Sequence, residues 1–121
     1  MNWTFYVVVI VVMAAVLLMR RGRQITVQSA QTLLREGATV VDVRTVSEFA
    51  SSHLPGAINF PLDSIETKLP ARIPDRNHTI LLHCQSGMRS GMAAKKLRAL
   101  GYNNAHNIGG YARAASVVGG K

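Results

Sequence analysis

The chain has 121 residues and one cysteine, is 48% hydrophobic, and carries 14 Lys+Arg against 6 Asp+Glu, a formal charge of +8. That length holds one domain with a core of its own and argues against a multidomain enzyme. A single cysteine excludes an internal disulfide framework and any metal site built from several thiolates, as in a reducing compartment, and the 4 scattered histidines add no ligand spacing, so neither metal nor cofactor is expected.

Seventeen of the first nineteen positions are hydrophobic, which leaves the rest of the chain at an ordinary value of about 40%. From Trp3 to Met19 no residue is charged. As a helix that stretch covers roughly 26 Å, the short end of what crosses a bilayer core. Trp3 and Tyr6 lie near one end, and Arg20, Arg21 and Arg23 follow the other. This pattern predicts a single-pass anchor with the amino terminus outside and the remainder cytoplasmic. A cleaved signal peptide fits less well, because its positive charge precedes the apolar stretch. The expected division is therefore an anchor and basic flank over 1–23 and a folded domain over 24–121.

Beyond the arginines, β-like runs alternate with helical patches. Ile25 to Val27 is a brief β-prone piece, Ser29 is a candidate cap for a helix over Ala30 to Glu36, and Gly37 can end that helix in the left-handed conformation. Thr39 to Val43 reads as a buried strand, and Thr45-Val46-Ser47-Glu48 is a capping box for a short helix through Ala50. Pro55-Gly56 turns into a strand over Ala57 to Phe60, and Asp63 or Ser64 starts another short helix. Thr79 to His83 is the third clear strand. A helix then begins near Arg89 or Ser90 and reaches Leu100, and Ala105 to Ile108 is a last strand before Gly109-Gly110. The alternation predicts an α/β domain around a parallel sheet, with ligands beyond the carboxyl ends of the strands.

Cys84 stands at such an end. In His83-Cys84-Gln85-Ser86-Gly87-Met88-Arg89-Ser90, a strand passes through a tight loop into a helix. Successive loop N–H groups and the positive end of the helix dipole make a concavity that attracts anions. The same field favours thiolate, and Arg89 adds a fixed charge, so Cys84 is expected to be acidic and nucleophilic. Gly87 allows the bend, and Ser90 can donate a hydroxyl hydrogen bond into the loop. The bland alternative, a cysteine that is merely a small buried hydrophobe, leaves loop, glycine and arginine unaccounted for. His83 should point to the sheet face opposite Cys84, away from the chemistry.

The segment Cys84-Gln85-Ser86-Gly87-Met88-Arg89-Ser90 resembles the active-site loop of single-domain rhodaneses, the thiosulfate:cyanide sulfurtransferases. The resemblance extends to Val41-Asp42-Val43-Arg44 with Glu48-Phe49, to His53-Leu54-Pro55-Gly56-Ala57-Ile58-Asn59 with Pro61, and to Asn107-Ile108-Gly109-Gly110, over roughly Ile25 to Ala114. It implies a rhodanese-like three-layer fold and a catalytic Cys84 that takes the outer sulfur of thiosulfate as a persulfide. The sulfur then passes to a thiophilic acceptor such as cyanide or a thiol. With no second cysteine, that acceptor comes from outside the chain. Arg89 would orient the incoming anion, with Gln85, Ser86, Gly87, Met88 and Ser90 as the binding loop.

Phosphatases that resemble this fold place five residues between Cys and Arg, whereas four intervene here, Gln85 to Met88, which ranks phosphate or arsenate chemistry lower. Asp42, Arg44 and Glu48 match the family's first motif and read as a supporting brace more than as catalysts, although Arg44 could assist the anion site. Ser52 and Tyr111 depart from residues common in the family. A membrane-tethered interaction module that uses the cradle only for docking is the rival reading, and the thiol opposes it. The excess positive charge suits small sulfur-containing anions or anionic lipid, and no aromatic or basic base-reading pattern points to nucleic acid.

Overall fold

A computed structural model describes residues 2–21 and 25–120. The folded part centres on four parallel strands, β1 (Thr39–Asp42), β2 (Ile58–Asn59), β3 (Ile80–His83) and β4 (Ala105–Gly109), in the order β2-β1-β3-β4. Alternation along β1 and β3 sends neighbouring side chains to opposite faces, and both faces are covered. Val41, Ile80, Leu82 and Cys84 join Ile65 and Leu69 of α4 (Ile65–Arg72) and Ala93 and Leu97 of α5 (Met88–Ala99) in one core. Val40, Leu81 and Ile108 join Ala30 of α2 (Val27–Arg35) and Ala114 and Val117 of α6 (Tyr111–Gly119) in the other. The result is a three-layer α/β domain, as expected. Leu81 and Leu82, adjacent in β3 and both fully buried, serve opposite cores, each burial contributing about 1.5–3 kcal/mol.

Local chemistry sets the helix ends. Thr45 caps α3 (Val46–Ser51) with the full reciprocal box: its hydroxyl accepts from the Glu48 amide, and the Glu48 carboxylate accepts from the Thr45 amide. Gly37 and Gly101, at φ 107° and 99°, follow α2 and α5 in the left-handed region. Two local expectations are corrected. The β-prone piece at 25–27 is absent, because Thr26 rather than Ser29 caps α2, its hydroxyl accepting from the Ser29 amide. The α5 helix starts at Met88, one residue earlier than expected, with left-handed Gly87 before it. Beyond these, α6 is a helix outside the expected elements; Gly110 precedes it without a capping side chain.

The expected membrane span is corrected as well. An amino-terminal helix, α1 (Trp3–Arg21), is present and contributes to neither core. Among the described residues, however, no helix is long and apolar enough to cross a membrane. The physical reason is length: a seventeen-residue uncharged run falls several ångströms short of a core about 30 Å thick, and α1 closes on two arginines. The topology with an outside amino terminus and a cytoplasmic domain falls with it. Residues 22–24, where the anchor and domain were expected to meet, lie outside the described residues.

Candidate active site

The β3–α5 connection is supported from below by the end of β4. The register between these strands shifts after Leu82, so that Leu82 faces Asn107 while His83 faces Gly109. This irregularity brings the Gly109 carbonyl 3.3 Å from the Cys84 amide, and Gln85 accepts from the Tyr111 amide at 3.1 Å. Ser86 and Gly110 form an isolated antiparallel bridge. Gly110 has no room for a side chain: a Cβ there would stand 2.7 Å from the Gln85 carbonyl oxygen. Gly87 turns the loop at φ 95°, against the Gly109–Gly110 backbone.

Two amides converge on the sulfur, and the Ser90 hydroxyl, whose single hydrogen serves either the sulfur or Asn107, stands beside them. The Gly87 amide is 3.0 Å from Cys84 Sγ, the Ser90 amide 3.4 Å and the Ser90 hydroxyl 3.5 Å. Burial pushes the thiol up, but the Ser90 hydroxyl and the amides of Ser90, Gly87 and Ser86 outweigh it, so Cys84 ionises below the ordinary thiol value. The cysteine is buried, as is Ser90; Gln85, Ser86 and Met88 are exposed. Among the described residues no three His, Cys, Asp or Glu side chains gather as a metal-binding group.

Ser90→Ala removes one donor and leaves the amides in place. The midpoint of the pH dependence of Cys84 alkylation should then move upward: below it the variant reacts more slowly than the parent, and well above both midpoints the two rates converge. A superimposable pH profile would show that the hydroxyl plays no part in the acidity.

Asn107 organises the loop from β4. Its Oδ1 accepts from the Ser90 hydroxyl at 2.7 Å and the Gly109 amide at 2.9 Å, and its Nδ2 donates to the Gly87 carbonyl at 3.1 Å. One amide side chain thereby ties together the loop glycine, the helix serine and the floor. Asn107 stands in the Asn107-Ile108-Gly109-Gly110 motif, and its role at the site is one that only the fold reveals; an amide in a strand beside a double glycine is the signal that could have marked it.

Arg89 does not stand open toward the loop. Its Nη1 and Nη2 donate to Glu48 Oε1 and Oε2 at 2.7 and 3.1 Å, a bidentate ion pair linking α5 to α3. The same Oε1 accepts from the Thr45 amide and hydroxyl, both at 3.1 Å. Arg89 and the Thr45 amide hold the Glu48 carboxyl well below the usual carboxylate range, at about 2. Arg89 also lines an open cavity of about 620 Å³ together with Val43, Pro61, Leu62, Lys68 and Lys96.

Asp42 and Arg44 form a separate, buried brace. Arg44 donates to both Asp42 oxygens, its shortest contact 2.7 Å, and to the Ser52 carbonyl at 2.6 Å, and lies over the Tyr111 ring at 4.9 Å. Asn59 closes the brace by donating to the Asp42 and Arg44 carbonyls. The Asp42–Arg44 bonds fix the end of β1, those to Ser52 and Asn59 tie it to its neighbours, and none of them reaches the sulfur. His83 is fully buried, edge-on to Tyr111 on the face opposite Cys84. Burial pushes its pKa down, and its Nε2 has no hydrogen-bond partner. His53 Nδ1 donates to the Phe49 carbonyl and the ring stacks on Phe49, a loop role.

A rhodanese-like domain profile matches residues 26–115. The thiosulfate sulfurtransferase PspE of Escherichia coli (strain K12) is 36% identical over 70 residues, which cover 58% of this chain and 67% of that protein. The putative sulfur carrier protein YrkF of Bacillus subtilis (strain 168) is 33% identical over 73 residues, 60% of this chain but only 38% of YrkF. Among solved structures, the human single-domain sulfurtransferase TSTD1 superposes with a TM-score of 0.67 at 30% identity, covering 76% of this chain and 94% of that one.

Proposed function

This chain belongs to the rhodanese-like family, and from that premise we propose that it transfers a sulfane sulfur through a persulfide on Cys84, with thiosulfate or a related compound as donor. The observation that carries the reading is the pair of amides, of Gly87 and Ser90, aimed at Cys84 Sγ, with the Ser90 hydroxyl within reach of it. They favour the thiolate before reaction, and the same kind of amide and hydroxyl dipole suits the negative charge of a persulfide after it. In the first half-reaction the thiolate attacks the outer sulfur of the donor. A new S–S bond forms at Sγ, the donor's own bond to that sulfur breaks, and the leaving group, sulfite in the case of thiosulfate, departs with the electron pair. In the second half-reaction an acceptor thiol or cyanide attacks the outer sulfur and Cys84 leaves as thiolate. The relatives' names favour this chemistry: PspE is a thiosulfate sulfurtransferase and YrkF a putative sulfur carrier. Gln85, Ser86 and Met88 are exposed on the loop, and in this reading they are the residues that meet donor and acceptor.

The test is intact mass spectrometry of the reduced, desalted chain after incubation with thiosulfate. The expected product is about 32 Da heavier, one sulfur atom, and reverts on addition of cyanide with release of thiocyanate. A chain that acquires no adduct from thiosulfate or any other sulfane donor, with Cys84 still free to alkylating agents, would be a docking module instead.

A further inference from the structure

Glu48 is held more firmly than a surface carboxylate needs to be. Arg89 grips both of its oxygens, and the Thr45 amide and hydroxyl share Oε1. The pair is about one-third exposed on each side, and 41 residues separate its members in sequence. A cation in the first turn of a helix opposes the helix dipole, and a paired carboxylate relieves that conflict. It also occupies two of the guanidinium's donors and cancels much of its charge at the start of α5, next to the loop. The other charged residues along the adjoining cavity are similarly mixed: Lys96 pairs with Glu66 at 3.2 Å, and Asp63 lines the wall together with Lys68.

Resting on the sulfur-transfer reading, we propose that Glu48 is a positioning residue that selects donors by charge. Seated on Arg89, its carboxylate weakens the loop's attraction for dianionic donors relative to singly charged ones. The donor class this favours is the organic sulfane monoanion, a persulfide or thiosulfonate, over thiosulfate. The bond changes are the same for both classes. Cys84 thiolate and thiosulfate give the Cys84 persulfide anion and sulfite, while Cys84 thiolate and a thiosulfonate anion give the same persulfide and a sulfinate. Only the charge brought past Arg89 differs.

Glu48→Gln separates charge from scaffold, because glutamine at this position of a capping box still accepts from the Thr45 amide. Steady-state transfer to cyanide is measured with thiosulfate, a dianion, and with benzenethiosulfonate, a monoanion. In Glu48→Gln, kcat/KM for thiosulfate should rise about fivefold, mostly through KM, with a change of at most about twofold for benzenethiosulfonate. Glu48→Asp keeps the charge and should stay nearer the parent ratio. Equal changes for the two donors, a fall in thiosulfate use, or the same ratio in Glu48→Asp as in Glu48→Gln each overturn the proposal while leaving sulfur transfer standing. If neither donor loads the parent chain, both readings fail together.

Discussion

Cys84→Ser is expected to take up no sulfur and to lose at least about a thousandfold in transfer, because a serine hydroxyl at neutral pH neither attacks a sulfane sulfur nor carries one. The fold should survive the change. Serine Oγ can accept from the Gly87 and Ser90 amides that now meet the sulfur, so no buried donor is left without a partner. Measured together, intact mass after donor treatment and the thermal melting curve distinguish chemistry from folding: the expected result is no adduct on a chain that still melts cooperatively. The chain has no other cysteine to take over, so turnover in a folded Cys84→Ser variant would be decisive against a persulfide at this position.

Asp42→Ala should be the most damaging substitution for stability, by about 3–5 kcal/mol, because it removes the counter-charge of a buried guanidinium. Arg44 would lose its side-chain bonds to Asp42 and keep the Ser52 carbonyl as its hydrogen-bond acceptor, and the Arg44 amide would lose its acceptor as well. Urea unfolding reads the effect: the midpoint falls while the slope stays constant. Replacing both partners with apolar residues of similar size should recover much of the loss, since an unpaired buried charge costs more than an absent pair. A loss below about 1 kcal/mol in the single variant would show that the pair braces little.

Much of the framework is legible from local pattern. The apolar runs around Val41 and Leu81 announce buried strands because a strand covered on both faces is apolar along most of its length, and Thr45 with Glu48 announces a helix start because four residues contain both halves of the box. The loop at Cys84 is legible for the same reason, since strand, glycine and helix follow without interruption. What escapes is either weak or distant. The α6 helix starts behind a glycine with no capping side chain, and its buried stripe of Ala114, Val117 and Val118 is too short to stand out beside the glycines that flank it. The grip of Glu48 on Arg89 and of Asn107 on Ser90 join residues far apart in the chain, and only the packed sheet brings them together. The amino-terminal helix shows the opposite error. Its composition suits a lipid setting, but composition carries no ruler, and the run is too short.

The slipped register between the third and fourth strands has a consequence for how reactivity arises during synthesis. The floor under the thiol comes from residues 107–110, downstream of the loop it supports. A nascent chain that has emerged only as far as the fifth helix would therefore carry the sulfur and its donors at 87 and 90 without the floor that fixes the loop around them, and the finished cradle would be set late, by the docking of one short edge strand.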